Sequence, residues 1–399
     1  MPFSKWNLVR NAITATSPAT GQPPPSWHSL ASFPKSITNQ ASMEIYELII
    51  DQLRDDISSL LACILVCRAW VPRSRHLLLR LMICRPLPLL SHGGHGTVNC
   101  AVPYLQGSII YGTTDGVYHG GKNGSRSRLL SINNVSQIEI FPDTNLFICI
   151  AGGVLLSMPL EALNSGRCQD SDINRISKHV LLLSVYRSKV TGECHRVCAL
   201  KTSSLSSTIK VFDVISDWHR GSTLVIAQNL YTPSETFSVR FLTRMRIVAA
   251  VKAGFAVRGG FELLELGSAS TQGLLDPDDP HLEFAFKKTR PITVFRVSDV
   301  FLVCYEKFAL FIDRRGRMAQ DYRVLQWKHS PHAFALHEPY ILAFCNTLIE
   351  VWNIETAEMV QKVQGPYHLL NMPESGERVL TMALLSREVT ELDFHNERR

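Results

Sequence analysis

The sequence predicts a mainly β protein in which a seven-bladed β-propeller follows a short segment of three helices. The clearest sign is the span 331–363, where four short apolar runs are separated by short polar or proline-bearing gaps. Four antiparallel strands in about 40 residues form the unit of a propeller blade. Turn dipeptides such as Asp115-Gly116 and Gly152-Gly153 recur beside strand-like runs between residues 100 and 385. Dividing this span by about 41 residues per blade gives about seven blades.

Composition and charge indicate a globular protein and argue against several other classes. The chain has 399 residues, of which 45% are hydrophobic, as expected of a globular protein. The longest clean apolar run, Leu60 to Cys67, has eight residues, so we expect no membrane span. The net charge of +6 shows no basic stripe, which argues against nucleic acid as a partner. Ten cysteines, mostly in apolar strings, and no signal peptide predict reduced thiols and a cytoplasmic protein.

Residues 1–41 are predicted to form a disordered tail. They contain no acidic residue and include the run Pro23-Pro24-Pro25. Such a segment cannot bury enough apolar surface to fold alone. The alternative is a mitochondrial transit peptide, which is also acid-poor and serine-rich, although only three basic residues are present.

Residues 42–84 change to a helical period. The apolar positions of the first helix follow one face at i, i+3, i+4 and i+8, namely Ile45, Leu48, Ile49 and Leu53. A second helix is predicted over Leu60 to Trp70, with Ser58-Ser59 as its cap, and a third over residues 74–80. Three such short helices are too few for an isolated core, so they require a partner or the neighbouring domain.

The strings Glu44–Leu53 and Leu65-Val-Cys-Arg-Ala-Trp70 resemble a fungal F-box. The resemblance implies binding to a Skp-type adaptor and, through it, to a cullin ubiquitin ligase. The adaptor contacts that we expect are Glu44, Ile45, Leu48, Ile49, Leu65, Val66 and Trp70. The family usually has Leu-Pro or Pro-Pro before the Glu, where this chain has Ser42-Met43. This departure favours the alternative, in which the helices only brace the propeller.

A glycine-containing linker is predicted over residues 85–99, and the propeller over residues 100–388. The four runs of the clearest blade are Ala333–Leu336, Tyr340–Phe344, Leu348–Ile354 and Met359–Val363. Within the third run, Ile349-Glu-Val-Trp-Asn353 resembles the closing strand of a WD-type blade. A second WD-like strand, Ile209–Asp213, lies 140 positions earlier, a distance of about three blades.

The propeller region resembles a citron homology (CNH) domain. The string Ile110-Tyr-Gly-Thr-Thr-Asp-Gly-Val-Tyr118 corresponds to the Gly-x-x-x-Gly-hydrophobic-Tyr opening of that family. Further matching strings follow in the expected order: Val135–Pro142, Met158–Leu163, Phe301–Tyr305, Phe308–Gly316 and Glu338–Phe344. The region is most similar to the C-terminal domain of fungal Rho guanine-nucleotide exchange factors. This resemblance implies that the propeller binds a small GTPase or a regulator of one.

These features predict a non-enzymatic protein-interaction adaptor with no catalytic, cofactor or metal site. The loop Gly116–Asn123 resembles a nucleotide-binding P-loop, but it has Asn where magnesium binding needs Ser or Thr. The pairs Cys63/Cys67 and Cys194/Cys198 fall in different domains, which argues against a zinc site. The principal hypothesis is the substrate receptor of a Skp/cullin/F-box ubiquitin ligase, with the propeller binding the client. The alternative is a CNH scaffold in small-GTPase signalling or vesicle trafficking with no ligase role.

Overall fold

The computed structural model describes residues 48, 50, 52–53, 59–60, 62–63, 73–74, 83–90, 96–121, 124–166, 168–188, 190, 194–217, 221–253, 260–286 and 289–394. The chain forms two compact units, Met1–Leu81 and Met82–Arg399. In the first unit, the helical residues among those described are 48, 50, 59, 60, 62, 63, 73 and 74. The full course of the three predicted helices lies outside the described residues. No helix in the described part of the chain is long and apolar enough to cross a membrane.

The second unit is a seven-bladed β-propeller, in which each blade is a four-stranded antiparallel sheet. Blade 1 contains β2 (Val98–Pro103), β3 (Ile109–Thr113), β4 (Val117–Gly120) and β5 (Arg126–Leu130). Blade 2 contains β6 (Val135–Phe141), β7 (Leu146–Ala151), β8 (Val154–Pro159) and β9 (Asn174–Lys178). Blade 3 contains β10 (Leu182–Tyr186), β11 (Arg196–Thr202), β12 (Ser207–Asp217) and β13 (Gly221–Thr232). Blade 4 contains β14 (Thr236–Thr243), β15 (Arg246–Val251), β16 (Gly260–Glu265) and β17 (Thr271–Gly273).

The remaining three blades complete the ring. Blade 5 contains β18 (Pro291–Val297), β19 (Val300–Tyr305), β20 (Phe308–Ile312) and β21 (Leu325–Gln326). Blade 6 contains β22 (Ala333–His337), β23 (Tyr340–Phe344), β24 (Leu348–Asn353) and β25 (Glu358–Gln364). Blade 7 contains β26 (Tyr367–Leu369), β27 (Val379–Ala383), β28 (Glu388–Phe394) and β1 (Cys84–Leu90). A short helix, α1 (Leu160–Asn164), joins β8 to β9, and a 3-10 helix (Pro280–Phe286) precedes blade 5.

The blade predicted over residues 331–363 is confirmed as blade 6, because β22 to β25 begin and end within one residue of the predicted runs. The spacing of the two WD-like strings also agrees with the structure. Ile209–Asp213 lies in β12 and Ile349–Asn353 in β24, the third strands of blades 3 and 6. The same strand position therefore recurs three blades later.

The first half of the predicted linker is a strand. Cys84–Leu90 forms β1 and pairs antiparallel with β28, so the start of the second unit supplies the outermost strand of blade 7. Pro86 and Pro88 obscured this strand in the sequence, yet an outermost strand tolerates proline because its outer edge donates no ladder hydrogen bond. The propeller thus extends beyond the predicted limits of 100 and 388, and β28 ends at Phe394.

The apolar core of the described propeller consists of seven clusters, one between each pair of neighbouring blades. Between blades 5 and 6, for example, Trp327 and Trp352 meet edge to face with ring centroids 5.6 Å apart. Between blades 7 and 1, Leu380 and Met382 pack with Ile109 and Tyr111. Among the described residues, each blade therefore buries apolar side chains against both of its neighbours.

Candidate protein interaction site

The predicted adaptor surface can be located at one residue. Leu48 is helical and its side chain is 64% exposed. The other six predicted contacts lie outside the described residues, and they are Glu44, Ile45, Ile49, Leu65, Val66 and Trp70. The adaptor surface therefore stays a prediction.

The glycine motif of blade 1 forms a structural turn. Asp115 accepts hydrogen bonds from Thr113 Oγ1 at 2.5 Å and from the Tyr118 hydroxyl at 3.0 Å. The hydrogen bond from Thr113, supported by that from Tyr118, holds the pKa of Asp115 below its usual value. A Cβ atom at Gly112 would lie 2.5 Å from Cγ1 of Val135 in blade 2. The motif thus fixes the turn between β3 and β4 and allows blade 2 to approach closely.

A histidine and an aspartate join two loops at one end of the propeller. Nε2 of His195 lies 2.5 Å from Oδ2 of Asp143. The backbone N–H of Ser188 donates a hydrogen bond to Nδ1 of His195 at 3.0 Å. A serine hydrolase would instead place a hydroxyl against an imidazole nitrogen. This arrangement links the β6–β7 loop to the β10–β11 loop.

Two buried or partly buried arginines, Arg187 and Arg240, lie at or beside the first strands of blades 3 and 4, and Glu139 lies on the first strand of blade 2. Arg187 Nη2 donates to Glu139 Oε2 at 2.8 Å. Burial lowers the pKa of Arg240, whose guanidinium lies 5.2 Å from the ring centroid of Phe295. Burial acts the same way on Arg187, but the charge and hydrogen bond of Glu139, together with the charges of Glu377 and Glu374, raise the pKa of that guanidinium overall. Both side chains stay cationic because arginine does not lose its proton in proteins.

A cleft of about 970 Å³ opens between blades 4 and 5. It exists because the outermost strands of these blades are short, with three residues in β17 and two in β21. Longer outer strands would cover the space between the two sheets. Apolar and aromatic side chains line the cleft, chiefly Leu242, Phe261, Leu263, Leu274, Phe301 and Tyr305. Phe286, which is 40% exposed, stands at its edge.

Four arginines surround the apolar lining, namely Arg246, Arg296, Arg314 and Arg315. Arg314 Nη2 pairs with Asp299 Oδ1 at 2.5 Å, and Arg246 lies 3.5 Å from Glu265. The carboxylate of Asp313 accepts hydrogen bonds from the backbone N–H groups of Arg315 and Arg317.

The guanidinium groups of two of these arginines are not paired with a carboxylate among the described residues. Arg296 donates from Nε to the carbonyl oxygen of Ser298 at 3.2 Å, and neither Arg296 nor Arg315 forms an ion pair within the described residues. The lining also contains the acidic residues Glu262, Asp276, Asp299 and Asp313, so the cleft combines an apolar floor with a rim of both acidic and basic groups.

A model of the family described as the CNH domain matches residues 106–372. The chain belongs to the CNH domain family. This result confirms the resemblance seen in the sequence for the propeller. The match does not extend to residues 42–84, so the F-box-like assignment of that segment remains a prediction.

Curated relatives agree with this membership. The chain is 33% identical over 300 residues to Rho1 guanine nucleotide exchange factor 1 of Schizosaccharomyces pombe, covering 68% of this CNH protein and 22% of that relative. It is 30% identical over 291 residues to Rho1 guanine nucleotide exchange factor 2 of the same yeast, covering 67% and 24%. The chain thus spans about a quarter of the length of each of these relatives.

Among solved structures, the AfRom2 CNH domain superposes with a TM-score of 0.67 at 32% identity. The alignment covers 78% of this chain and 100% of that domain. The described propeller therefore has the fold of a solved CNH domain throughout its length.

Sequence analysis missed the cleft. Its arginines come from two blades, since Arg246 begins β15 of blade 4, whereas Arg296 lies in β18 and Arg315 follows β20 of blade 5. No local spacing brings such residues together. One signal was present, the insertion Asp276–Pro280, which lengthens the connection between blades 4 and 5 and contributes Asp276 to the cleft.

Proposed function

We propose that this chain is a non-enzymatic interaction module of small-GTPase signalling, in which the CNH propeller binds a small GTPase or a regulator of one. The observation that carries this proposal is membership of the CNH family together with the similarity to two Rho1 exchange factors. The matched region is about a quarter of each relative. A CNH region shared with the two exchange factors supports a binding role, and the analogy with them supports a small GTPase or its regulator as the partner.

We place the contact with the partner at the cleft between blades 4 and 5. Its aromatic and leucine lining offers a desolvated pocket of the kind in which binding energy concentrates. Arg296 and Arg315 at its edge would attract the acidic groups of a partner and orient it. A cytoplasmic location belongs to the same proposal, because the nine described cysteines are free thiols and typical of a reducing compartment.

Binding to a purified Rho1-type GTPase, loaded in turn with GDP and with a GTP analogue, tests the proposal. We expect saturable binding by the full chain in at least one nucleotide state. The double variant Arg296→Glu/Arg315→Glu should weaken it by at least about tenfold, since it replaces attraction by repulsion. Lys178→Glu/Lys362→Glu, the matched charge change on blades 2 and 6, should bind like the wild type.

These experiments test the identity of the partner and the position of the binding surface separately. No binding in either nucleotide state would reject a GTPase as the direct partner. Equal loss of binding in the two double variants would reject the cleft, because a general change of charge would then explain the effect.

The F-box-like segment supports a second candidate function, the substrate receptor of a Skp/cullin ubiquitin ligase. The observation in its favour is the exposed helical Leu48 within the F-box-like string. Co-purification with a Skp-type adaptor tests it, with Leu48→Glu/Leu65→Glu as the variant that should abolish capture. Capture that persists in this variant would reject the assigned surface, and no capture of the wild type would reject the ligase function.

A further inference from the structure

Blade 3 has an outermost strand unlike those of the other blades. β13 (Gly221–Thr232) has 12 residues, whereas the outermost strands of the other six blades have between two and seven. It forms a ladder with β12 alone among the described strands, so its outer edge offers a row of backbone donors and acceptors. A row of this kind is a template for another strand.

The other outer edges carry the features by which proteins prevent strand pairing. Charged residues or prolines interrupt four of them, for example Arg128 in β5, Lys178 in β9, Lys362 in β25 and Pro88 in β1. The remaining two, β17 and β21, are too short to form a stable ladder. The sequence of β13, GSTLVIAQNLYT, has neither a charged residue nor a proline. Its protection is limited to a β-bulge at Ala227, where Val211 pairs with Gln228 and Phe212 with Ile226.

Most of the exposed side chains of β13 are also apolar, the exceptions being Thr223 and Asn229. Val225 is 44% exposed, Ile226 53% and Tyr231 62%. Ile215, at the end of the neighbouring strand β12, is 44% exposed. An uncharged apolar strand with a free edge gains both ladder hydrogen bonds and side-chain burial when a second strand docks against it.

We propose that β13 pairs antiparallel with β13 of a second copy of this chain, about a two-fold axis. The absence of charge favours a second copy as the partner, since a strand without charged residues can face its own copy without like-charge repulsion. An acidic or basic peptide would find no complementary charge along β13. The two-fold arrangement is closed, because each copy covers the free edge of the other, and it produces a dimer and no filament.

Sedimentation of the full chain over a range of concentrations, combined with amide hydrogen exchange, tests this pairing. We expect a monomer–dimer equilibrium, and slower exchange of the β13 amides as the concentration rises. β5, another outermost strand, should exchange at the same rate at every concentration and is the internal control.

One substitution locates the contact. Ile226→Lys should raise the dimer dissociation constant by at least about tenfold, because each charge would face the uncharged strand of the other copy. The control Leu205→Lys changes an 81% exposed leucine outside the strands and should dimerise like the wild type. Unchanged circular dichroism would show that both variants keep the propeller.

Two outcomes of these experiments would overturn the proposed pairing. A chain that stays monomeric at all concentrations overturns the proposal. A dimer in which β13 exchanges as in the monomer, or which Ile226→Lys leaves intact, shows that another surface pairs and overturns it as well.

Discussion

Nδ1 of His329 lies 2.6 Å from Oε1 of Glu350, a carboxylate whose side chain is completely buried in blade 6. The second oxygen, Oε2, accepts hydrogen bonds from Trp352 Nε1 at 2.8 Å and from the backbone N–H of Lys328 at 3.2 Å. Burying a carboxylate is unfavourable unless both of its oxygens find donors. Glu350 therefore holds the connection between blades 5 and 6 against the WD-like strand.

Replacing this carboxylate should destabilise the propeller. Glu350→Ala leaves the buried indole N–H of Trp352 and the partly buried backbone N–H of Lys328 without an acceptor, so we expect the free energy of unfolding to fall by about 2 kcal/mol. Denaturant unfolding measures this change. The control Glu355→Ala, at an exposed turn after the same strand, should stay within about 0.5 kcal/mol of wild type. Equal stability of the two variants would contradict the role of Glu350.

The position at which a shortened chain begins should decide whether the ring closes. A chain starting at residue 82 keeps β1, whereas one starting at residue 91 leaves β28 with an open edge and loses the Cys84–Gln361 hydrogen bonds of 2.9 and 2.6 Å. We expect cooperative unfolding and good solubility from the first chain and aggregation from the second. Comparable solubility of the two would show that β1 is dispensable.

The stability contributed by Asp115 should depend on pH. Its pKa in the folded chain lies below the usual 3.8, chiefly because of the hydrogen bond from Thr113, so its contribution is present at neutral pH. That contribution is lost as the pH falls below 3.8 and through the lowered pKa. Because solvent screens this largely accessible carboxyl, Asp115→Asn should cost no more than about 0.5 kcal/mol at neutral pH and almost nothing in strong acid.

Urea unfolding across this range checks the prediction for Asp115. Asp278→Asn, at an exposed loop position, serves as the control and should differ little from wild type at any pH. A deficit of Asp115→Asn that persists undiminished in strong acid would show that its cause is steric and not electrostatic.

Thiol labelling should follow burial. Burial raises the pKa of the Cys84, Cys100 and Cys198 thiols to about 12, so at pH 8 almost none is present as the reactive thiolate. We expect iodoacetamide to label these three only after denaturation, and to label the partly exposed Cys194 in the native chain. Mass spectrometry of the labelled peptides measures both. Labelling of Cys198 in the native chain would contradict the packing between blades 3 and 4.

Local signals were sufficient to predict most of the propeller. Strands β22 to β25 combine apolar runs with short turns, so pairing between sequence neighbours specifies the whole blade. The WD-like strings at Ile209 and Ile349 mark equivalent strands, since every blade repeats the same order. The Gly-x-x-x-Gly-hydrophobic-Tyr motif was recognised from its resemblance to the family pattern, and in the structure Gly112 and Asp115 are held by contacts within a few residues or with the next blade.

Features that depend on distant partners were not predictable. β1 was assigned to a linker because its pairing strand, β28, lies about 300 positions away and its prolines argue against a strand. The cleft depends on how short β17 and β21 are, and strand length is set by packing across blades. The free edge of β13 likewise becomes visible only when all seven outer strands are compared.

The pairing of β1 with β28 has a consequence for biosynthesis. Arg85 and Asp393, which form an ion pair across this ladder, are 308 positions apart. At translation rates of about 5–20 residues per second, β1 waits on the order of 15–60 s for its partner. During that interval blades 1 to 6 can assemble on the ribosome while the earliest-made strand remains available to wrong partners. The nascent chain therefore has a long window in which a chaperone that shields extended apolar segments would raise the yield of closed rings.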